Sequence, residues 1–112
     1  MYIGLYLQKP IIKPGCYPIL DEKYIKKYRT GNLEQSIKIG QFFFDNVNDE
    51  CGTLVAPYEY DYWEPKQCKK IVNWIDKNQV LIKDSCLDEF FQVIYDYCKQ
   101  AVELDTGVEI DL

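Results

Sequence analysis

Apolar positions recur along this chain at two spacings, and the switches between them mark its elements. From Met1 to Leu7 the residues are mostly aliphatic or aromatic, predicting a first strand rather than a signal peptide, since no basic region precedes them. Pro10, Pro14 and Pro18, with Gly15, then remove backbone donors at short intervals, so 8–19 is expected to be a loop. Asp21 has the character of an N-cap, with Leu20 and Ile25 placed to clasp across it. A helix is therefore expected from there to Thr30, ended by Gly31. A second start follows at Asn32, with Gln35 completing a capping box. Leu33, Ile37, Gly40, Phe44 and Val47 recur at helical spacing as its expected core face, widened by Phe42 and Phe43. Gly40 leaves room for a neighbouring element, and the helix should end near Asn46–Asn48.

Beyond Cys51 the spacing changes. Thr53, Leu54 and Val55 suggest a short strand stopped by Pro57. Tyr58–Trp63 alternates aromatic and acidic residues, as a strand or extended loop with one wet face does. Pro65 suits the first position of a third helix, with Glu64 at its positive end. Cys68, Ile71, Val72 and Ile75 give its apolar stripe; Lys66, Lys69, Lys70, Asn73 and Lys77 fill the other side, and Asn78 is a plausible stop. Val80–Ile82 reads as a short strand or a helix lead-in. Ser85, with Asp88 three residues on, signals the cap of the longest helix, whose face is Leu87, Phe90, Phe91, Ile94, Tyr97, Cys98, Ala101 and Leu104, ended by Gly107. The tail Val108–Leu112 alternates strictly and is placed to pair with the first strand.

The expected fold is mainly α within the α+β class. About four amphipathic helices pack as a single domain over residues 1–112, with short terminal and central strands forming a small sheet. At 47% hydrophobic and 15% aromatic residues the chain has enough apolar mass for one interior, which argues against disorder. Its apolar runs are only a few residues long, against about 20 needed to span a bilayer, so no membrane association is expected. The five cysteines, Cys16, Cys51, Cys68, Cys86 and Cys98, lack a Cys-x-x-Cys pair, and there is no histidine. They read as reduced, mostly buried thiols of a cytoplasmic protein, with a single disulfide as the alternative.

The net charge of −5 is distributed in blocks: +4 over residues 1–40, −6 over 41–65, +4 over 66–83 and −7 over 84–112. Phosphate neutralisation favours a basic excess in nucleic-acid binders, so direct nucleic-acid binding is not expected. The acidic blocks suit a basic protein partner, or simply a solubilising surface. The basic residues Lys23, Lys26, Lys27 and Arg29 are read as surface or intramolecular pairing residues.

Catalysis has few candidates. Without histidine, the usual general base and every Ser-His or Cys-His arrangement are missing. No glycine-rich phosphate cradle occurs, and adjacent acids such as Asp88 and Glu89 read as solvated helix residues. The chain is therefore expected to be no enzyme and to need no cofactor or metal. Its most informative stretch is Tyr58, Glu59, Tyr60, Asp61, Tyr62, Trp63 and Glu64. Tyrosine and tryptophan offer large contact area at low entropic cost, and carboxylates among them accept lysine or arginine. A structural reading stands beside this one, with Tyr60 and Trp63 on the core and the acids in water. Asp45, Asp49 and Glu50 extend the acidic block from a helix C-terminus, where negative charge gains nothing locally. These residues form the expected partner-binding surface, with Asp88, Glu89, Asp96 and Glu103 of the last helix as a second acidic surface.

From Leu54 to Val72, an acidic-aromatic loop passes through Trp63-Glu64-Pro65 into an amphipathic helix. This stretch resembles small bacterial immunity proteins of contact-dependent growth inhibition and other polymorphic toxin systems. The resemblance implies a cytoplasmic antidote that binds a cognate toxin, such as a basic nuclease domain, and blocks its active site or substrate channel. A regulatory or mobile-element adaptor that binds a basic host protein is the alternative, and gene context separates the two.

Overall fold

The two ends of the chain meet in the middle of a sheet. A computed structural model describes residues 1–29 and 31–112. The described chain forms five helices and a four-stranded antiparallel sheet, an α+β fold of the expected class. The strands are β1 (Tyr2–Tyr6), β2 (Ile25–Arg29), β3 (Tyr60–Trp63) and β4 (Val108–Asp111), in the order β2-β1-β4-β3. The alternating tail pairs with the first strand as expected, Ile3 opposite Ile110 and Leu5 opposite Val108. Ile3, Leu5, Trp63, Val108 and Ile110 join the core, so this face of the sheet carries the helices.

The helices are α1 (Leu33–Asn46), α2 (Asn48–Cys51), α3 (Pro65–Lys77), α4 (Gln79–Asp84) and α5 (Asp88–Leu104). Asn32 caps α1, its Oδ1 accepting from the Gln35 N–H at 3.0 Å, while Gln35 Oε1 accepts from Gly31. Pro65 opens α3, and Gln67 Oε1 accepts from the Glu64 N–H at 2.9 Å. α3 packs along α5, and α5 crosses β1 and β4. No helix is long and apolar enough to cross a membrane among the described residues.

Several expectations are corrected. Asp21 does cap a turn, its Oδ1 accepting from the Lys23 N–H, but only a short 3-10 turn over Glu22–Tyr24 forms. The chain then extends as β2 along β1, Ile25 opposite Tyr6 and Arg29 opposite Tyr2. Pairing with the β1 edge overrides a weak local helix signal. Thr30, the expected end of that helix, lies outside the described residues. Thr53–Val55 makes no strand, because Asn48 takes its polar groups. Asn48 Oδ1 accepts from Thr53 Oγ1 and the Val55 N–H, and its Nδ2 donates to the Val55 carbonyl. Val80–Ile82 lies in α4. Ser85 caps nothing ahead of it, since its hydroxyl donates back to the Ile82 carbonyl at 2.6 Å. α5 is ended by Asp105 in the left-handed region, and Gly107 instead leaves room for the Tyr62 ring. All five cysteines are free, and Cys16 and Cys86 are exposed.

The largest correction concerns the rotation of α1. Ser36, Ile39, Gly40, Phe42 and Phe43 are its buried residues, whereas Leu33, Ile37 and Phe44 face solvent. Phe43 lies stacked between Trp63, at 5.8 Å between ring centroids, and Phe91, at 5.7 Å. Ser36 is tolerated inside because its hydroxyl donates to the Leu112 carbonyl at 2.9 Å. Gly40 has the expected close neighbour: a Cβ there would collide with the Pro57 ring and its backbone nitrogen. Gly40→Ala should therefore cost about 1–3 kcal/mol in urea unfolding, with the helical circular dichroism spectrum retained. Unchanged stability would show that the Pro57 loop moves freely.

Candidate functional site

The segment from Tyr58 to Glu64 divides between interior and surface by the period of the strand it contains. Along β3, Asp61 and Trp63 point one way and Tyr60 and Tyr62 the other. Trp63 is wholly buried in the core, so no partner reaches it. Asp61 Oδ2 accepts from the Trp63 indole N–H and from the Leu54 N–H, both at 2.9 Å. Both were expected to meet a partner; here they hold the preceding loop against the sheet. Tyr60 and Tyr62 stand half-buried on the open face. The structural reading thus holds for Trp63 in the core and for Glu59 and Glu64 in water, and is corrected for Tyr60, which lies on the open face, and for Asp61, which is taken up by internal hydrogen bonds.

Tyr58, Glu59 and Glu64 are exposed. Tyr58 sits in the left-handed region at φ 63, closed by a Glu59 N–H to Ala56 carbonyl bond at 3.3 Å. A bulky residue in that conformation costs about 1–2 kcal/mol, and its ring, 67% exposed, recovers little by burial.

The remaining acids are exposed but do not form one surface. Asp88, Glu89, Asp96 and Glu103 lie within one arc of α5. Glu89 accepts from the Tyr28 hydroxyl at 2.9 Å, which sets the start of that arc beside β2. Tyr58–Glu64 contains β3, at the opposite edge of the sheet. Glu50 shares a groove with Lys70 and Lys77 of α3, which offset its charge. Asp45 lies on the solvent side of α1, where Gln41 donates to it at 2.9 Å.

The open face of the sheet holds a feature that the sequence reading missed. Glu109 is nearly buried, at 4% exposure, opposite Gly4 on one side and Tyr62 on the other. Its Oε2 accepts from the Tyr6 hydroxyl at 2.8 Å and from the Tyr60 hydroxyl at 2.7 Å. A Cβ at Gly4 would meet the Glu109 side chain at 2.8 Å, so glycine makes its space. Tyr17 folds over from the proline-rich loop to meet the Tyr60 ring edge-on at 4.8 Å. Two hydrogen bonds to one carboxylate, that of Tyr6 buried and that of Tyr60 partly so, tie β1, β3 and β4 together across the open face. A strict apolar-acidic alternation suggests a wet acid, and only the tyrosines at matching register positions reveal otherwise.

Burial, first of all, holds the phenols of Tyr2, Tyr6, Tyr60 and Tyr62 well above their ordinary range, with Glu109 adding to the shift at each. Burial likewise pushes the Cys51 thiol up to about 11 and raises Cys98. These groups stay protonated at neutral pH and are poor nucleophiles. No three Cys, Asp or Glu side chains converge as metal ligands do among the described residues. No family model, curated protein or solved structure matches the chain.

Two outcomes follow. The raised phenols contribute stability in full below pH 10, the ordinary phenol value, and lose it at higher pH as the unfolded chain releases protons that the native fold retains. Melting temperature should fall above pH 10, and Tyr62→Phe should flatten that fall while changing little at pH 7. An unaltered slope would contradict the burial of this phenol. Separately, Tyr58→Gly should raise stability by about 1 kcal/mol in urea by relieving the left-handed strain. A loss of stability would show that the ring packs rather than waits.

Proposed function

We propose that this protein works by recognition rather than catalysis, as an immunity protein that neutralises a basic toxin domain, in keeping with the resemblance of residues 54–72. The supporting observation is electrostatic. Asp45, Asp49, Glu59, Glu64, Asp88, Glu89, Asp96 and Glu103 are all exposed. The two ion pairs among the described residues, Lys9 with Asp105 and Lys27 with Glu22, use none of them. Hydrated carboxylates without an internal counter-charge steer a cationic surface toward the molecule and pair with it on contact. A nuclease toxin supplies such a surface, because its substrate channel must bind phosphates.

Within that reading, Asp45, Tyr58 and Glu59 are the contact residues. The acids of α5, near the other sheet edge, act through their long-range field. Mixing the chain with the toxin domain encoded beside its gene should give a tight complex that weakens steeply with salt and abolishes toxin activity. Asp45→Lys with Glu59→Lys should weaken the complex by at least about tenfold and leave the melting temperature nearly unchanged, since both side chains face solvent. Full toxin activity in the presence of excess protein would refute the proposal.

A further inference from the structure

The rotation of α1 that buries Phe43 leaves a second apolar stripe outside. Leu33, Ile37 and Phe44 are 56%, 45% and 74% exposed, and their spacing sets them along one line of the helix about 16 Å long. The 53–58 loop runs beside this line. Asn48, just beyond the C-terminus of α1, holds Val55, and Gly40, about two turns nearer its start, meets Pro57. The loop therefore returns antiparallel to α1, and the exposed, strained Tyr58 follows the Pro57 that meets Gly40. Pro57 covers Gly40 between Ile37 and Phe44, so the stripe is the pair Leu33 and Ile37 and, two turns on, Phe44; isolated exposed apolar residues are ordinary, but three aligned on one helix, with a strained exposed aromatic one residue beyond Pro57, are not.

We infer that this ridge is a docking surface for a basic amphipathic segment of a partner protein. Such a segment would set apolar side chains on Ile37 and Phe44 and direct lysine or arginine to the acids beside them. Charge supports that occupant. Glu34 and Asp45 lie on one flank, rimming a groove of about 530 Å³ between α1 and the α4–α5 turn, and the exposed Glu59 follows Tyr58 at the end of the 53–58 loop. Lys38 is the one cation in the lining of that groove. A second copy of the chain fits less well, because apposed ridges would bring these carboxylates against one another without counter-charge. The inference deepens the antidote reading by naming the contact surface and the chemistry it takes.

The test titrates isotope-labelled protein with a synthetic amphipathic helix bearing leucines on one face and lysine and arginine on the other. A counterpart with glutamate at each basic position serves as control. The basic peptide should shift amide resonances along α1 and residues 54–59. The acidic counterpart should bind at least about tenfold more weakly, and Phe44→Ser with Ile37→Ser should weaken the basic peptide by a similar factor. Both variants should keep the dispersed spectrum of the folded chain. Equal binding of the two peptides, shifts centred on α5, no binding at millimolar peptide, or a dimer dispersed by Phe44→Ser would each overturn the inference. The two readings can fail separately. A protein that binds the peptide on the ridge yet leaves the toxin active loses only the antidote role. One that blocks the toxin undiminished when Phe44 and Ile37 are serine loses only the ridge.

Discussion

The stacking of Phe43 between Trp63 and Phe91 sets the geometry on which the remainder of the molecule depends. It joins three elements at one ring: α1 through Phe43, β3 through Trp63 and α5 through Phe91. Phe90 closes the group edge-on. Each such aromatic pair contributes about 0.5–1.5 kcal/mol beyond area burial, so the cluster fixes the rotation of α1 against a competing apolar face. Once that rotation is set, Gly40 must turn toward the Pro57 loop and Ser36 must find the Leu112 carbonyl. Leu33, Ile37 and Phe44 then have no interior left to occupy. The exposed ridge is thus a consequence of core packing.

Much of the architecture was legible in the residue pattern. Strong caps with clean periodicity, at Asn32 and Pro65, gave correct helix starts. The alternating tail gave its strand and the strand it pairs with. The failures share a physical cause, which is competition resolved only in three dimensions. α1 carries two apolar stripes, and the choice between them lies with Trp63 and Phe91, far along the chain. Residues 25–29 carry both a helix signal and the aliphatic and aromatic residues of a strand, and the free edge of β1 decides. Thr53–Val55 had a strand's composition, yet Asn48, a few residues away, captured its backbone. The acidic-aromatic segment stands out in the sequence by its composition. Its strand period, however, divided its residues between the core, the open sheet face and solvent.

Glu109 illustrates the same lesson in the opposite direction. Read along the chain it is one acid in an alternating tail, but Tyr6 and Tyr60 converge on it from strands at either side. The open face of the sheet is therefore closed by its own polar network, with Tyr17 laid over it. The ridge on α1, by contrast, offers apolar area and uncommitted carboxylates together. The molecule separates a self-satisfied face from one that leaves apolar side chains and carboxylates exposed together.

The most direct test is hydroxyl-radical footprinting of the chain alone and with the toxin domain proposed as its partner. Phe44 and Tyr58 should oxidise readily in the free protein and become protected in the complex, while Phe43 stays inert in both. Oxidation of Phe43 in the free chain, or undiminished oxidation of Phe44 and Tyr58 in the complex, would contradict the account.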